Sequence, residues 1–154
     1  MAKLDQRLDY NRIAPSGIKA FGSVYGYVLQ CGLPEELVAV VYLRVSQINN
    51  SAYWVDMHTR DLIRTGVPID KLALVQAWRE GGDLFNAAER AALAWAETVT
   101  RAADTGVPDE EYRAARAAFG EKELVDLTIA ISLMNAYDRM AISFRNTPQA
   151  TSKK

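Results

Sequence analysis

The stretch Pro34–Pro68, PEELVAVVYLRVSQINNSAYWVDMHTRDLIRTGVP, decides the fold. Pro34 suits the first turn of a helix, where its missing N–H costs nothing, and Glu35 and Glu36 sit favourably beside the positive helix end. From there Leu37, Val38, Val40, Val41, Leu43, Val45 and Ile48 put apolar side chains on most faces at three- and four-residue spacing. That is the pattern of a helix buried on several sides. Asn49-Asn50-Ser51 breaks it, and a further helix runs from about Ser51 to Thr65, where Gly66 stops it.

The same punctuation extends in both directions. Ser16 is placed to cap a helix reaching about Cys31, with Gly32 as its stop. Gly66-Val67-Pro68 and Gly106-Val107-Pro108 each end one helix and open the next. Between them lie a short helix near Ile69–Ala77 and an alanine-rich one near Ala87–Ala103, the latter opened by a capping box of Asn86 and Glu89. A helix over about Asp109–Phe119 closes at Gly120, and a long one runs from about Glu121 to Phe144. The polar tail Thr147–Lys154 is expected to be disordered. No segment alternates with period 2 between hairpin turns. The fold class is therefore all-α, a single domain over residues 1–146 built from about seven helices. Glu36–Gln47 and Leu124–Phe144 are apolar beyond a single stripe, which predicts burial between subunits and hence an oligomer.

Composition narrows the function. The 154 residues carry 18 basic and 19 acidic side chains, a formal net charge of -1. That balance exerts no strong general pull on nucleic acid or anionic lipid, so neither partner is expected. No apolar run reaches ~18 residues, and Met1–Arg12 is charged rather than signal-like, so the expectation is a soluble, cytoplasmic protein. Cys31 is the one cysteine and His58 the one histidine. A single cysteine excludes an intrachain disulfide, a CxxC pair and a Cys-rich zinc site, and no metal or other cofactor is expected. Cys31 itself reads as a half-buried small apolar residue at a helix end.

Ser51, Trp54, His58 and Asp61 fall at i, i+3, i+7 and i+10, one stripe of one helix. Trp54 and His58 are a turn apart and can touch. Ser51 and His58 are ~10.5 Å apart along the axis, too far for a serine–histidine nucleophile pair.

Leu43-Arg44-Val45-Ser46-Gln47-Ile48-Asn49, then Ala52-Tyr53 and Val55-Asp56-Met57-His58, resembles the alkylhydroperoxidase D-like family, also called carboxymuconolactone decarboxylase-like. The similarity continues through Ala77-Trp78-Arg79-Glu80, the segment Glu89–Trp95, Glu123–Leu127 and Asn135-Ala136-Tyr137, covering most of the chain from Arg7 to Arg145. The resemblance implies all-helical subunits in homotrimers or homohexamers. It also implies thiol peroxidase chemistry, with a CxxC pair opening a helix, a histidine one turn after the second cysteine, and an assisting glutamate on the preceding helix. Carried over residue by residue, Ser51 stands at the first cysteine position, Trp54 at the second and Ala39 at the glutamate. Only His58 matches. A serine hydroxyl cannot pass through a sulfenic acid, and tryptophan cannot resolve one, so the peroxidase activity is predicted lost.

Natural drift of an inactive relative and deliberate redesign both account for three such changes. The pattern of a large aromatic and an alanine in place of reactive groups points to a relined, engineered pocket for a small molecule, bordered by Trp54, Ser51 and Ala39. The last helix carries a stripe of Leu124, Leu127, Ile131, Met134, Asp138 and Ile142, in which Asp138 interrupts apolar residues. A carboxyl in such surroundings has a raised pKa and becomes a stronger base. Three functions follow. The first is a family scaffold without thiol chemistry that binds a small molecule in the former active-site pocket. The second is a cofactor-free enzyme with Asp138 or His58 as general base and Trp54 as stacking surface for an aromatic substrate. The third is a peroxidase with substituted cysteines.

Overall fold

The structure, a computed structural model, describes residues 5–152; the first residues of the expected domain and the last two of the expected tail lie outside it. Its helices are α1 (Tyr10–Ile13), α2 (Pro15–Gln30), α3 (Glu35–Ile48), α4 (Ala52–Arg64), α5 (Ile69–Leu74), α6 (Ala87–Thr100), α7 (Ala102–Thr105), α8 (Asp109–Ala118), α9 (Glu121–Phe144) and α10 (Gln149–Ser152). Among the described residues there are no strands, and no helix is long and apolar enough to cross a membrane.

Helices α3 and α9 form the centre. α3 packs on α4, α6 and α9, and α9 also receives α2 and α8. One apolar core joins Val41 and Val45 of α3 to Ala92 and Ala96 of α6 and to Leu127, Ile131 and Met134 of α9. A second joins Val40 and Leu43 to Leu62 of α4, Val75 and Trp78. Because α3 is shared by both cores, its apolar residues are buried on nearly every face, as its pattern predicts. Arg44 of α3 pairs with Glu97 of α6 at 2.8 Å, fixing the register between them.

Several boundaries differ from the sequence expectation, each for a local reason. Ser16 does not cap α2: Pro15 occupies the first turn and Ala14 the N-cap, so the helix starts two residues earlier. The helix expected over Ile69–Ala77 ends at Leu74 and continues as 3-10 turns over Val75–Glu80, interrupted at Ala77 (φ -121°, ψ 30°). The expected Ala87–Ala103 helix ends at Thr100, and α7 is a separate turn stopped by Gly106 in the left-handed region. The polar tail is not wholly irregular either. α10 lies against α4, and the Ala150 N–H donates to Asp56 Oδ2 at 3.1 Å.

Candidate functional site

The α3–α4 corner is built by its own backbone. Asn50 adopts φ 56°, a conformation asparagine tolerates better than most residues, and the Ser51 N–H returns to Ser46 O at 3.0 Å. This turn aims Ser46, Asn49 and Ser51 at the middle of α9. There the Asp138 carboxylate is wholly buried. Ser46 Oγ donates to Oδ1 at 2.9 Å and Asn49 Nδ2 to Oδ2 at 2.8 Å. Asn49 Nδ2 also reaches Asn135 Oδ1 at 3.0 Å, whose own amide donates to Ile131 O and Thr100 Oγ1. Ser51 Oγ is buried and lacks a partner at full hydrogen-bond geometry, yet it lies close enough to Asp138 to favour the charged form. Burial pushes the Asp138 carboxyl up to about 6, against the opposing pull of Asn49, Ser46, Ser51 and the Arg139 charge.

One turn before Asp138 on α9, the character changes. Met134 Sδ lies 3.1 Å from His58 Nε2, a contact that fits a neutral ring with its proton on Nε2, because the thioether accepts only weakly. The Trp54 ring stacks on His58 with centroids 5.4 Å apart and planes 21° apart. The Tyr42 ring of α3 lies 5.5 Å from His58, and Tyr137 lies 5.2 Å from Trp54. Trp54 Nε1 donates to Tyr137 O at 3.1 Å, so the indole is anchored by a hydrogen bond as well as by ring contacts. With only apolar and aromatic neighbours, burial lowers the His58 pKa to about 4. At neutral pH this imidazole carries no charge. Burial also raises the Tyr42 phenol, whose hydroxyl has no hydrogen-bond partner.

The predicted site residues therefore separate into pairs. Trp54 and His58 meet as their spacing predicts, and Ser51 meets Asp138. Ala39 sits apart, packed against the second core with Val55. Asp61, the last member of the α4 stripe, turns outward and pairs with Arg64. With Tyr53, Met57, Arg60 and Gln149 it borders an open groove of about 600 Å3 along α4, which none of Ser51, Trp54, His58 or Asp138 lines. Cys31 ends α2, its Sγ donating to Val28 O at 3.0 Å, and is near Tyr42 rather than His58. Among the described residues no group of three His, Cys, Asp or Glu side chains could hold a metal.

Sequence reasoning missed Tyr42, Met134 and Tyr137, which close the aromatic cluster, and Ser46 and Asn49, which hold Asp138. Met134 was visible as the residue one turn before Asp138. Tyr42 was hidden inside an apolar run.

The sequence profile of the carboxymuconolactone decarboxylase family matches residues 15–98. YdfG of Bacillus subtilis (strain 168), an uncharacterised protein, is 33% identical over 143 residues, covering 93% of this chain and 97% of its own. A solved protein of unknown function from Agrobacterium tumefaciens, designated for antioxidant defence as AhpD, has a TM-score of 0.89 at 34% identity, covering 94% of this chain and 98% of that one. The apo debrominase Bmp8 shares the fold, with a TM-score of 0.76 at 20% identity, over 88% of this chain and 73% of that one.

Proposed function

The chain belongs to the carboxymuconolactone decarboxylase family, and we propose that it is a member without thiol peroxidase activity, its former redox centre replaced by packed side chains. The observation that carries this is Trp54 at the position implied for the second thiol, its ring stacked 5.4 Å from His58 and its N–H committed to Tyr137 O. Ser51 at the first position offers a hydroxyl, which cannot reduce a peroxide by way of a sulfenic acid. His58 is only partly buried, neutral, and set against the Met134 sulfur and ring faces. A small molecule recruited by this scaffold would have to displace Trp54 or bind beside α4. The test is peroxide consumption with a dithiol reductant. We expect no rate above that of the reductant alone. Turnover that disappears in Ser51→Ala would overturn the proposal.

A second reading rests on the Asp138 carboxyl, held at about 6 beside the Ser51 hydroxyl, and because that carboxyl is wholly buried it requires neighbouring side chains to move aside for a substrate. A base of that strength is suited to taking an acidic C–H proton near neutral pH without a cofactor. A benzisoxazole probes it: loss of the ring C–H proton to Asp138 breaks the N–O bond and releases a phenolate. On this reading Asp138→Asn abolishes ring opening. A rate unchanged by that substitution rules out Asp138 as the base.

A further inference from the structure

Both ends of the chain converge on one residue, Asn146. Its Nδ2 donates to the Tyr10 hydroxyl at 2.7 Å, its Oδ1 accepts from Gln6 Nε2 at 3.4 Å, and its N–H donates to Ala141 O at 2.9 Å. The N-terminal arm is fastened alongside. The Arg7 N–H donates to Phe144 O at 2.9 Å, Arg7 Nη1 donates to Ser143 O at 3.0 Å, and the Tyr10 ring lies 5.6 Å from that of Phe144. The arm thus satisfies carbonyls that the last turn of α9 leaves without partners of its own.

Arg145 ends α9 at φ 56°, in the left-handed region, and so turns the chain that follows back toward α4. There the Ala150 N–H donates to Asp56 Oδ2 at 3.1 Å, while Oδ1 of the same carboxylate accepts from Arg60 Nε at 2.9 Å. Gln149 borders the groove along α4 together with Tyr53 and Met57. Residues 147–152, Thr-Pro-Gln-Ala-Thr-Ser, carry no large apolar side chain to anchor them. A strap held mainly by polar contacts at the surface opens at a small fraction of the cost of unfolding the domain.

Arm and strap meet beside the aromatic cluster. Tyr10, itself buried, lies in electrostatic reach of both Tyr53 and Tyr137. Those two rings flank Trp54, each with its centroid 5.2 Å from the indole, and Trp54 stacks on His58. From His58 outward the layers are Trp54, then Tyr53 and Tyr137, then Tyr10 with Asn146. We infer that the strap of residues 145–152 and the arm of residues 6–13 form a clasp that gates the Trp54–His58 cluster, closed by the Asn146–Tyr10 and Ala150–Asp56 hydrogen bonds and opening about Arg145. Opened, the strap leaves α4 and extends the groove of about 600 Å3 toward Tyr53 and the indole behind it. The two bonds hold one short segment at its two ends, so losing either loosens it. Its use as a gate rests on the reading of this cluster as the former redox centre, but its opening is measured without any turnover.

Hydrogen exchange of the three indole N–H groups, read by NMR on the full chain, tests the clasp. Each indole is hydrogen-bonded: Trp54 to Tyr137 O, Trp78 to Glu97 Oε1 and Trp95 to Thr128 Oγ1. In Asn146→Ala and in Asp56→Ala the Trp54 signal should exchange about tenfold faster, the factor that one lost net hydrogen bond allows, while Trp78 and Trp95 keep their rates. Asp56→Asn keeps an oxygen for the Ala150 N–H and should leave Trp54 near the unaltered rate. A Trp54 rate unchanged in both alanine variants overturns the inference. So does an equal acceleration of all three indoles, which is a general loosening of the fold. Tyr10→Phe, which keeps the ring and removes the hydroxyl acceptor, repeats the test if Asn146→Ala fails to fold.

Discussion

The aromatic cluster around His58 and the polar nest around Asp138 sit on successive turns of α9, and each buries one titratable group. Burial acts on them with opposite sign. It disfavours the cation of His58 and lowers its pKa to about 4, and it disfavours the anion of Asp138 and raises its pKa to about 6. The surroundings then differ in what they give back. Asp138 receives hydrogen bonds from Ser46 and Asn49, whereas His58 has only a thioether and ring faces. The nest is thus a polar clasp joining the α3–α4 corner to α9, and the aromatic cluster packs around the chain's one histidine.

The largest effect is expected from hollowing the aromatic cluster. Trp54→Ala leaves a cavity beside His58 and should cost about 3 kcal/mol in denaturant unfolding. It should also raise the His58 pKa as water enters. A loss below about 1 kcal/mol would mean that the indole does not fill the space beside the imidazole.

Next comes the pH dependence of stability. The raised Asp138 contributes stability that is fully present below its unfolded value of 3.8 and is lost as pH rises through about 6. The lowered His58 contributes stability present above its unfolded value of 6.5 and lost as pH falls through about 4. Across pH 4 to 6.5 the two therefore oppose each other. Asp138→Asn removes one side, so the variant should lose on the order of 2 kcal/mol more than the unaltered protein on acidification through this window. Parallel stability profiles for the two proteins would show that the groups do not titrate oppositely.

The smallest effects separate the two serines of the nest. Ser46→Ala removes a donor to a buried carboxylate and should cost about 1.5 kcal/mol while raising the Asp138 pKa further. Ser51→Ala removes a hydroxyl with no fully formed hydrogen bond and should stay within about 0.5 kcal/mol of the unaltered protein. Equal costs would show that Ser51 belongs to the clasp as fully as Ser46.

Most of the fold was legible because proline, glycine and one capping box punctuate it. Pro34, Gly66-Val67-Pro68, Asn86 with Glu89, and Gly120 bracket α3, α4, α6 and α9, and the capping box forms with both of its hydrogen bonds. Val75–Glu80 was not legible, because helical and 3-10 turns share nearly the same spacing of apolar residues. At the site, the contact of Trp54 with His58 follows from helical geometry alone. The partners of Asp138 do not: Ser46 and Asn49 lie about 90 residues away in sequence and meet it only where α3 crosses α9. Asp61 keeps nearly the angular position of Trp54 but lies two turns further along α4, near the helix end, where its side chain is half exposed and pairs with Arg64.

The proposal that packed side chains replace a thiol centre is tested most directly on His58, because it is the only histidine in the chain. An NMR titration of its ring proton reports one midpoint without ambiguity. The apolar, aromatic surroundings predict a midpoint of about 4 and no protonation between pH 6 and 8. A midpoint near the ordinary 6.5 would mean that solvent reaches the ring and that the site is open.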